Sequence, residues 1–308
     1  MAGGGPAREV RVEAGNGCLV GRFSAMASPC EILVETSDAD EARHLSVVAA
    51  AEAWRVEDKF SRYVSDNVVA RINSAAGEVI DVDAETASLI DFGNTLYELS
   101  DGRFDITSGV LREAWKFDGS DRLPTRETVE RVLQRVGWHR VDWQSPTLWM
   151  ESGMEIDFGG IGKEYAVDQV AQQLRDASAT SALINFGGDL AVTRPPAKRQ
   201  GWRVGIESVS ERGPAAEKVI ELRSGAMATS GDARRFLSRD GVRYSHILDP
   251  RSGWPVRDAP RSVTVAADTC TQAGMLSTLA MLGGENAEAF LRAEEVRHWC
   301  RRGHGKSQ

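Results

Sequence analysis

Cysteine is scarce and scattered in this chain. Cys18, Cys30, Cys270 and Cys300 form no C-x-x-C pair, which argues against a zinc site or a disulfide framework and for reduced thiols. Positive charge is short as well, with a net charge of −8 and a pI near 5.3. Phosphate backbones call for basic surfaces, so nucleic acid is excluded as a general partner. An anionic ligand would need local positive groups or a metal ion. No apolar run approaches a membrane span, and the opening MAGGGPAREVRVEAGNG has no signal-peptide core. A cytoplasmic protein with no membrane partner is the expectation. Neither G-x-x-x-x-G-K-[ST] nor GxGxxG spacing occurs, which removes the two common phosphate fingerprints. No repeat period marks a solenoid.

What is present is a chain of 308 residues, 42% hydrophobic and 27% charged, the balance of a soluble globular protein with a substantial core. Residues 1–17 read as a disordered tail and 301–308 as a polar tail. Between them, CLVGRFSAM and CEILVET suggest two strands around Ser28-Pro29. Apolar residues from Ala42 to Phe60 and from Leu89 to Leu99 recur at helical spacing. Ser37-Asp38 and Thr125 offer N-caps. Strands are expected at 138–143, 147–150, 181–186, 202–206, 217–222 and 262–267, and helices at 269–282 and 286–293. Strands mixed with helices, several in hairpin-like pairs, favour an α+β fold with mixed or antiparallel sheets over a parallel doubly wound one. No linker divides the chain, so one domain over 18–300 is expected.

The stretch from Asp157 to Asp168, DFGGIGKEYAVD, concentrates the chemistry. A strand-like alternation of Met154, Ile156 and Phe158 leads into Gly159, Gly160 and Gly162, then Lys163, then a helical pattern through Leu174. A strand passing through a glycine turn into a helix can present backbone N–H groups and a favourable dipole to a phosphate. The same pattern also serves as a plain tight connection. Similar polar and small clusters recur at Asn185-Phe186-Gly187-Gly188-Asp189, at Thr229-Ser230-Gly231-Asp232, and at Ser245, His246 and Asp249. Each alone is ordinary turn chemistry. His246, between Tyr244 and Ile247, reads equally as a structural histidine. The small-residue run Gly225 to Gly231 suits a floor under a flat ligand or any tight turn.

Together, in order, these pieces resemble the ApbE-type FAD:protein FMN transferases. DFGGIGKEYAVD is similar to that family's central motif, followed by INFGGDL, ATSGDARRF and YSHILDPRSGWPV; FSRYVSDNVVARIN and GRFDITSGVLREAWKF resemble its two earlier motifs. The resemblance runs from about Arg22 to Gly284 and implies a single ApbE-like (T-fold-like) domain. It also implies a reaction: a threonine or serine hydroxyl of a partner flavoprotein attacks the FMN-side phosphorus of FAD, and AMP leaves. A pyrophosphate calls for charge neutralisation, so FAD and Mg2+ are the expected substrate and metal.

By the resemblance, Asp157 and Lys163 contact FAD, Met26 and Tyr63 pack on or hydrogen-bond its rings, and Thr107, Ser108 and Gly109 line the same pocket. Ile247 and Leu248 lie near a further FAD contact, and His246 is the candidate base. From sequence alone Met26 could equally be core, and Lys163 merely solvated. Gly160 would ligate the metal through its carbonyl and Thr278 through its hydroxyl. The third metal position departs from the family: where an aspartate stands four residues before the threonine, this chain has Gly274. Magnesium prefers carboxylate and other oxygen ligands, so this loss should weaken the site, and Gly274→Asp should tighten it. Asp268, six residues earlier, is the nearest aspartate before that position. Two rival readings follow: an FAD pyrophosphatase giving FMN and AMP, and an FAD-binding protein with impaired turnover.

Overall fold

A computed structural model describes residues 8–207, 216–232 and 235–303. The chain divides into two compact units. The first comprises Met1–Glu57, Gly162–Thr229 and Ala266–Gly274; the second comprises Asp58–Ile161, Ser230–Val265 and Met275–Gln308.

In the first unit, strands Arg11–Ala14, Leu19–Ala25, Ser28–Val34, Ala182–Phe186, Asp189–Val192 and Ala226–Gly231 lie side by side in that order, each antiparallel to its neighbour. Alternate residues of Leu19–Ala25 and Ser28–Val34 are buried, as a half-covered sheet requires. Helix Gly162–Ala177 turns Ala166, Val167, Val170, Ala171 and Leu174 inward and packs on strands Ala182–Phe186 and Asp189–Val192. Helix Ala39–Phe60 begins where the Asp38 carboxylate accepts from the N–H groups of Asp40 and Glu41, at 2.9 and 3.2 Å. Trp202–Glu207 and Ala216–Leu222 form a separate antiparallel pair.

The second unit is richer in short elements. Helices Val68–Ser74, Ala84–Leu99 and Arg126–Leu133 are capped by Asn67, Asp83 and Thr125. Ile80–Asp81, Thr147–Trp149 and Asp142–Gln144 form a small sheet. Hairpins Phe236–Arg239/Val242–Ser245 and Leu248–Asp249/Trp254–Pro255 carry the histidine region. Their inner residues meet the buried clusters of Val110, Leu111, Val132 and Val136 and of Trp115, Val129 and Leu237.

Four expectations change. Arg11–Ala14 belongs to a strand rather than to a tail, paired with Leu19–Ala25 at the sheet edge; residues 1–7 and 304–308 lie outside the described residues. The alternation at Met154, Ile156 and Phe158 is real, all three being fully buried, but they form no strand. Their backbone is satisfied from the side: Asn73 Nδ2 donates to the Ile156 carbonyl at 3.1 Å, and Ile156 N donates to Asn73 Oδ1 at 2.7 Å. Asp157 N then donates to the Ile106 carbonyl at 2.8 Å. The strand expected over 138–143 is a 3-10 turn at Trp138–Arg140 followed by strand Asp142–Gln144, because Asp105 Oδ2 takes the Trp138 N–H at 2.9 Å. The small-residue run at 225–231 is strand Ala226–Gly231, its Met227 paired with Leu190.

Candidate functional site

Each unit gathers part of the expected set. Among the described residues, Met26, Lys163 and Gly274 fall in the first unit. Tyr63, Thr107, Ser108, Gly109, Asp157, Gly160, His246, Ile247, Leu248 and Thr278 fall in the second.

In the first unit, Met26 and Ala27 form the turn between two strands with φ of 50° and 54°. A two-residue hairpin turn with both φ positive normally takes Asn or Gly. A methionine there is strained, and strain of this kind gathers at functional positions. The Met26 N–H donates to Glu57 Oε1 at 2.8 Å, holding the tip in place. Lys163 opens helix Gly162–Ala177 and pairs with Asp189 at 2.8 Å, an aspartate whose side chain is 2% exposed. Burial works against the lysine charge, but Asp189 more than offsets it, and the pKa is raised. Asp189 also accepts from Thr229 N at 3.3 Å. One position on, Glu164 is pushed up to about 8, by burial first and the Asp189 carboxylate second. One cation thus serves two neighbouring carboxylates.

The end of the same motif fixes a second helix. Asp168 accepts from Cys270 N and Thr271 N, both at 2.8 Å, and caps helix Cys270–Leu282. Gly274 lies one turn into that helix and is buried.

In the second unit, Asp157 is the hub. Its carboxylate pairs with Arg62 at 2.5 Å and accepts from Gly159 N at 2.9 Å. An ideal Cβ on Gly109 would stand 2.5 Å from Asp157 Cβ and 2.9 Å from Oδ2, so only glycine allows the two segments so close. Thr107 is fully buried. Its hydroxyl donates to Asp105 Oδ1 at 2.6 Å and accepts from Gly137 N at 2.8 Å. Ser108 and Gly109 are half-buried and accessible, whereas Thr107 is spent inside the fold. Asp105 accepts three hydrogen bonds, from Thr107 N, the Thr107 hydroxyl and Trp138 N, yet burial still raises its pKa. Tyr63 is 79% exposed, with Arg62 over its ring at 5.0 Å and bonded to its hydroxyl at 2.9 Å. Gly160 is exposed at the turn.

His246 Nδ1 lies 3.0 Å from the Arg235 carbonyl. A carbonyl only accepts, so Nδ1 carries the proton and Nε2 keeps its lone pair. Burial, first among the causes, lowers its pKa and favours the neutral ring. Phe117 meets the ring edge-on at 6.2 Å. Ile247 O accepts from Val256 N at 3.1 Å, and the Leu248 side chain packs into the core clusters. Thr278 Oγ1 stands 3.0 Å from Ser230 Oγ, which also meets Ser277 Oγ at 2.8 Å.

Arg62, Asn73, Asp105 and Glu164 were not singled out by sequence pattern. Arg62 and Asn73 lie within FSRYVSDNVVARIN and Glu164 within DFGGIGKEYAVD, so membership in the motifs was the available signal. Among the described residues, no three His, Cys, Asp or Glu side chains gather closely enough to hold a metal by themselves. No described helix is long and apolar enough to cross a membrane.

Known proteins share both the sequence and the fold. A flavin transferase of Vibrio cholerae, named FAD:protein FMN transferase, is 30% identical over 247 residues, covering 78% of this chain and 74% of that one. Its Haemophilus influenzae namesake is 29% identical, covering 75% and 70%. The crystal structure of the ApbE protein of Thermotoga maritima superposes with a TM-score of 0.81 at 31% identity, over 95% of this chain and 94% of that chain. The apo flavinyl transferase ApbE of Pseudomonas stutzeri gives 0.79 at 28% identity, over 96% and 93%. The model of the ApbE family matches residues 26–299, and the chain therefore belongs to the ApbE family.

Proposed function

We propose that this protein is an FAD:protein FMN transferase, moving FMN from FAD to a threonine or serine hydroxyl of a partner flavoprotein. The observation that carries this reading is the match, across residues 26–299 and in fold, to proteins bearing that activity in their names. In the proposed reaction the acceptor oxygen forms a bond to the FMN-side phosphorus. The pyrophosphate bond to AMP breaks and AMP departs with the bridging oxygen. His246 Nε2, unprotonated by the tautomer its Arg235 contact selects, is the base that takes the hydroxyl proton.

The other assignments follow the same reading. Lys163 brings positive charge to the diphosphate, and Asp157, steadied by Arg62, orients a polar edge of FAD. The strained Met26 and the exposed Tyr63 offer surfaces to its rings. Ser108 and Gly109 line the pocket, with Thr107 fixing their turn from beneath. Ile247 and Leu248 position the backbone beside His246.

The donor chemistry fits a hard divalent cation such as Mg2+: the Gly160 carbonyl at an exposed turn and the Thr278 hydroxyl are the oxygen ligands such ions take. Gly274 offers no side chain of its own. Bound there, the ion would neutralise charge on the pyrophosphate and its leaving group. The four cysteines are free thiols, which supports a reducing, cytoplasmic setting.

The test is incubation with FAD, Mg2+ and a flavoprotein acceptor domain, followed by in-gel flavin fluorescence. Fluorescence retained on the denatured acceptor supports the transferase. AMP release with FMN free in solution would replace it with a pyrophosphatase.

A further inference from the structure

The gap at position 274 is filled by a carboxylate from another helix. An ideal Cβ on Gly274 would lie 2.5 Å from Glu164 Cγ, 3.0 Å from Cδ and 3.0 Å from Oε1. The volume that an aspartate would begin to occupy at 274 is already taken by the stem and head of Glu164. The contact is held on both sides. Asp168, one turn beyond Glu164 on helix Gly162–Ala177, grips the first residues of helix Cys270–Leu282 at 2.8 Å. Residues four apart share a helix face, so the Asp168 cap at 270 and 271 directs Glu164 to 274.

We propose that Glu164 supplies the anionic metal ligand that the family pattern places at position 274, and that Gly274 is glycine to make room for it. This rests on the transferase reading, from which the metal position comes. The exchange conserves what the ion needs, a hard carboxylate oxygen. Glutamate is one methylene longer than aspartate, which suits a ligand reaching across from the neighbouring helix. The expectation that Gly274→Asp tightens metal binding is reversed: the new Cβ would strike Glu164 and set a second carboxylate against the first.

The experiment uses the full chain with saturating FAD and Mn2+ as the probe, free Mn2+ being read from its solution electron paramagnetic resonance signal. Glu164→Gln, close to isosteric, should weaken Mn2+ binding by about tenfold or more. Gly274→Asp alone should weaken it as well. The double variant Glu164→Gly with Gly274→Asp, which returns the carboxylate to the helix of Thr278, should recover most of the loss. Circular dichroism melts confirm that each variant is folded, with Glu164→Ala as a second removal of the carboxylate. Mn2+ affinity unchanged in Glu164→Gln, tightened in Gly274→Asp, or absent in the parent overturns the assignment. Flavin transfer by the parent is measured alongside. A parent that transfers FMN while Glu164→Gln binds Mn2+ normally refutes the ligand and leaves the transferase standing. A parent whose Mn2+ binding depends on Glu164 but which transfers no FMN supports the ligand and refutes the transferase.

Discussion

Replacing Lys163 with methionine isolates the energetics of the buried ion pair. Asp189, 2% exposed, would lose its 2.8 Å partner and keep the backbone N–H of Thr229 at 3.3 Å. Stranding a buried charge costs about 3–5 kcal/mol. The carboxyl has a second exit, which is to take up a proton, and it becomes the cheaper one as pH falls. From an ordinary pKa near 3.9 that costs about 4 kcal/mol at pH 7 and about 1.5 kcal/mol at pH 5. Burial already raises the Asp189 pKa in the parent despite Lys163, and losing the lysine raises it further above its unfolded value. Stability is then fully present below about pH 4 and is lost as pH rises toward the folded pKa. Urea denaturation followed by far-UV circular dichroism should show a deficit of about 3–4 kcal/mol at pH 7 that shrinks to about 1.5 kcal/mol at pH 5. The double variant Lys163→Met with Asp189→Asn should recover most of it at pH 7. A Lys163→Met protein within about 1 kcal/mol of the parent at pH 7, or a deficit indifferent to pH, refutes the reasoning.

Three more outcomes are expected. His246→Ala should slow flavin transfer by about 10²–10⁴-fold while leaving FAD affinity little changed. Because burial lowers the His246 pKa, the parent's initial rates should hold steady on acidification past its ordinary 6.5 and fall only below it; a fall beginning above that value contradicts a buried neutral base. Asn73→Ala strips both partners from the buried Ile156 backbone and should cost about 2–4 kcal/mol in urea, with Asn73→Asp, which keeps the acceptor, costing less. Gly109→Ala should weaken FAD binding, read by flavin fluorescence titration, since its Cβ would sit 2.5 Å from Asp157 Cβ; parental affinity would show that this approach does not shape the pocket.

Helical periodicity made the long helices legible. Ala42, Leu45, Ala49, Ala53, Val56 and Phe60 are all buried on helix Ala39–Phe60 as their spacing predicts. The alternation before Asp157 reported burial correctly and pairing wrongly, because period-two patterning records which side chains face inward, not what the backbone bonds to. Here a single asparagine side chain replaces a ladder. Arg11–Ala14 was hidden for the opposite reason: three of its four residues are exposed at a sheet edge, so burial left no imprint. Asp189–Val192, buried throughout, shows no alternation either. At the site, motif order identified the residues but not their alliances. A pattern at position 274 shows a missing side chain and cannot show that Glu164 fills the space.

The division into units carries a consequence for how the protein is made and dissected. Each unit is assembled from three separate stretches, and the last pieces are Ala266–Gly274 for one and Met275–Gln308 for the other. Neither half can be released by one scissile cut or expressed as an uninterrupted fragment. On the ribosome, the order of synthesis leaves both without their closing segments until the chain is nearly finished, so a nascent chain halted at residue 265 carries two incomplete cores.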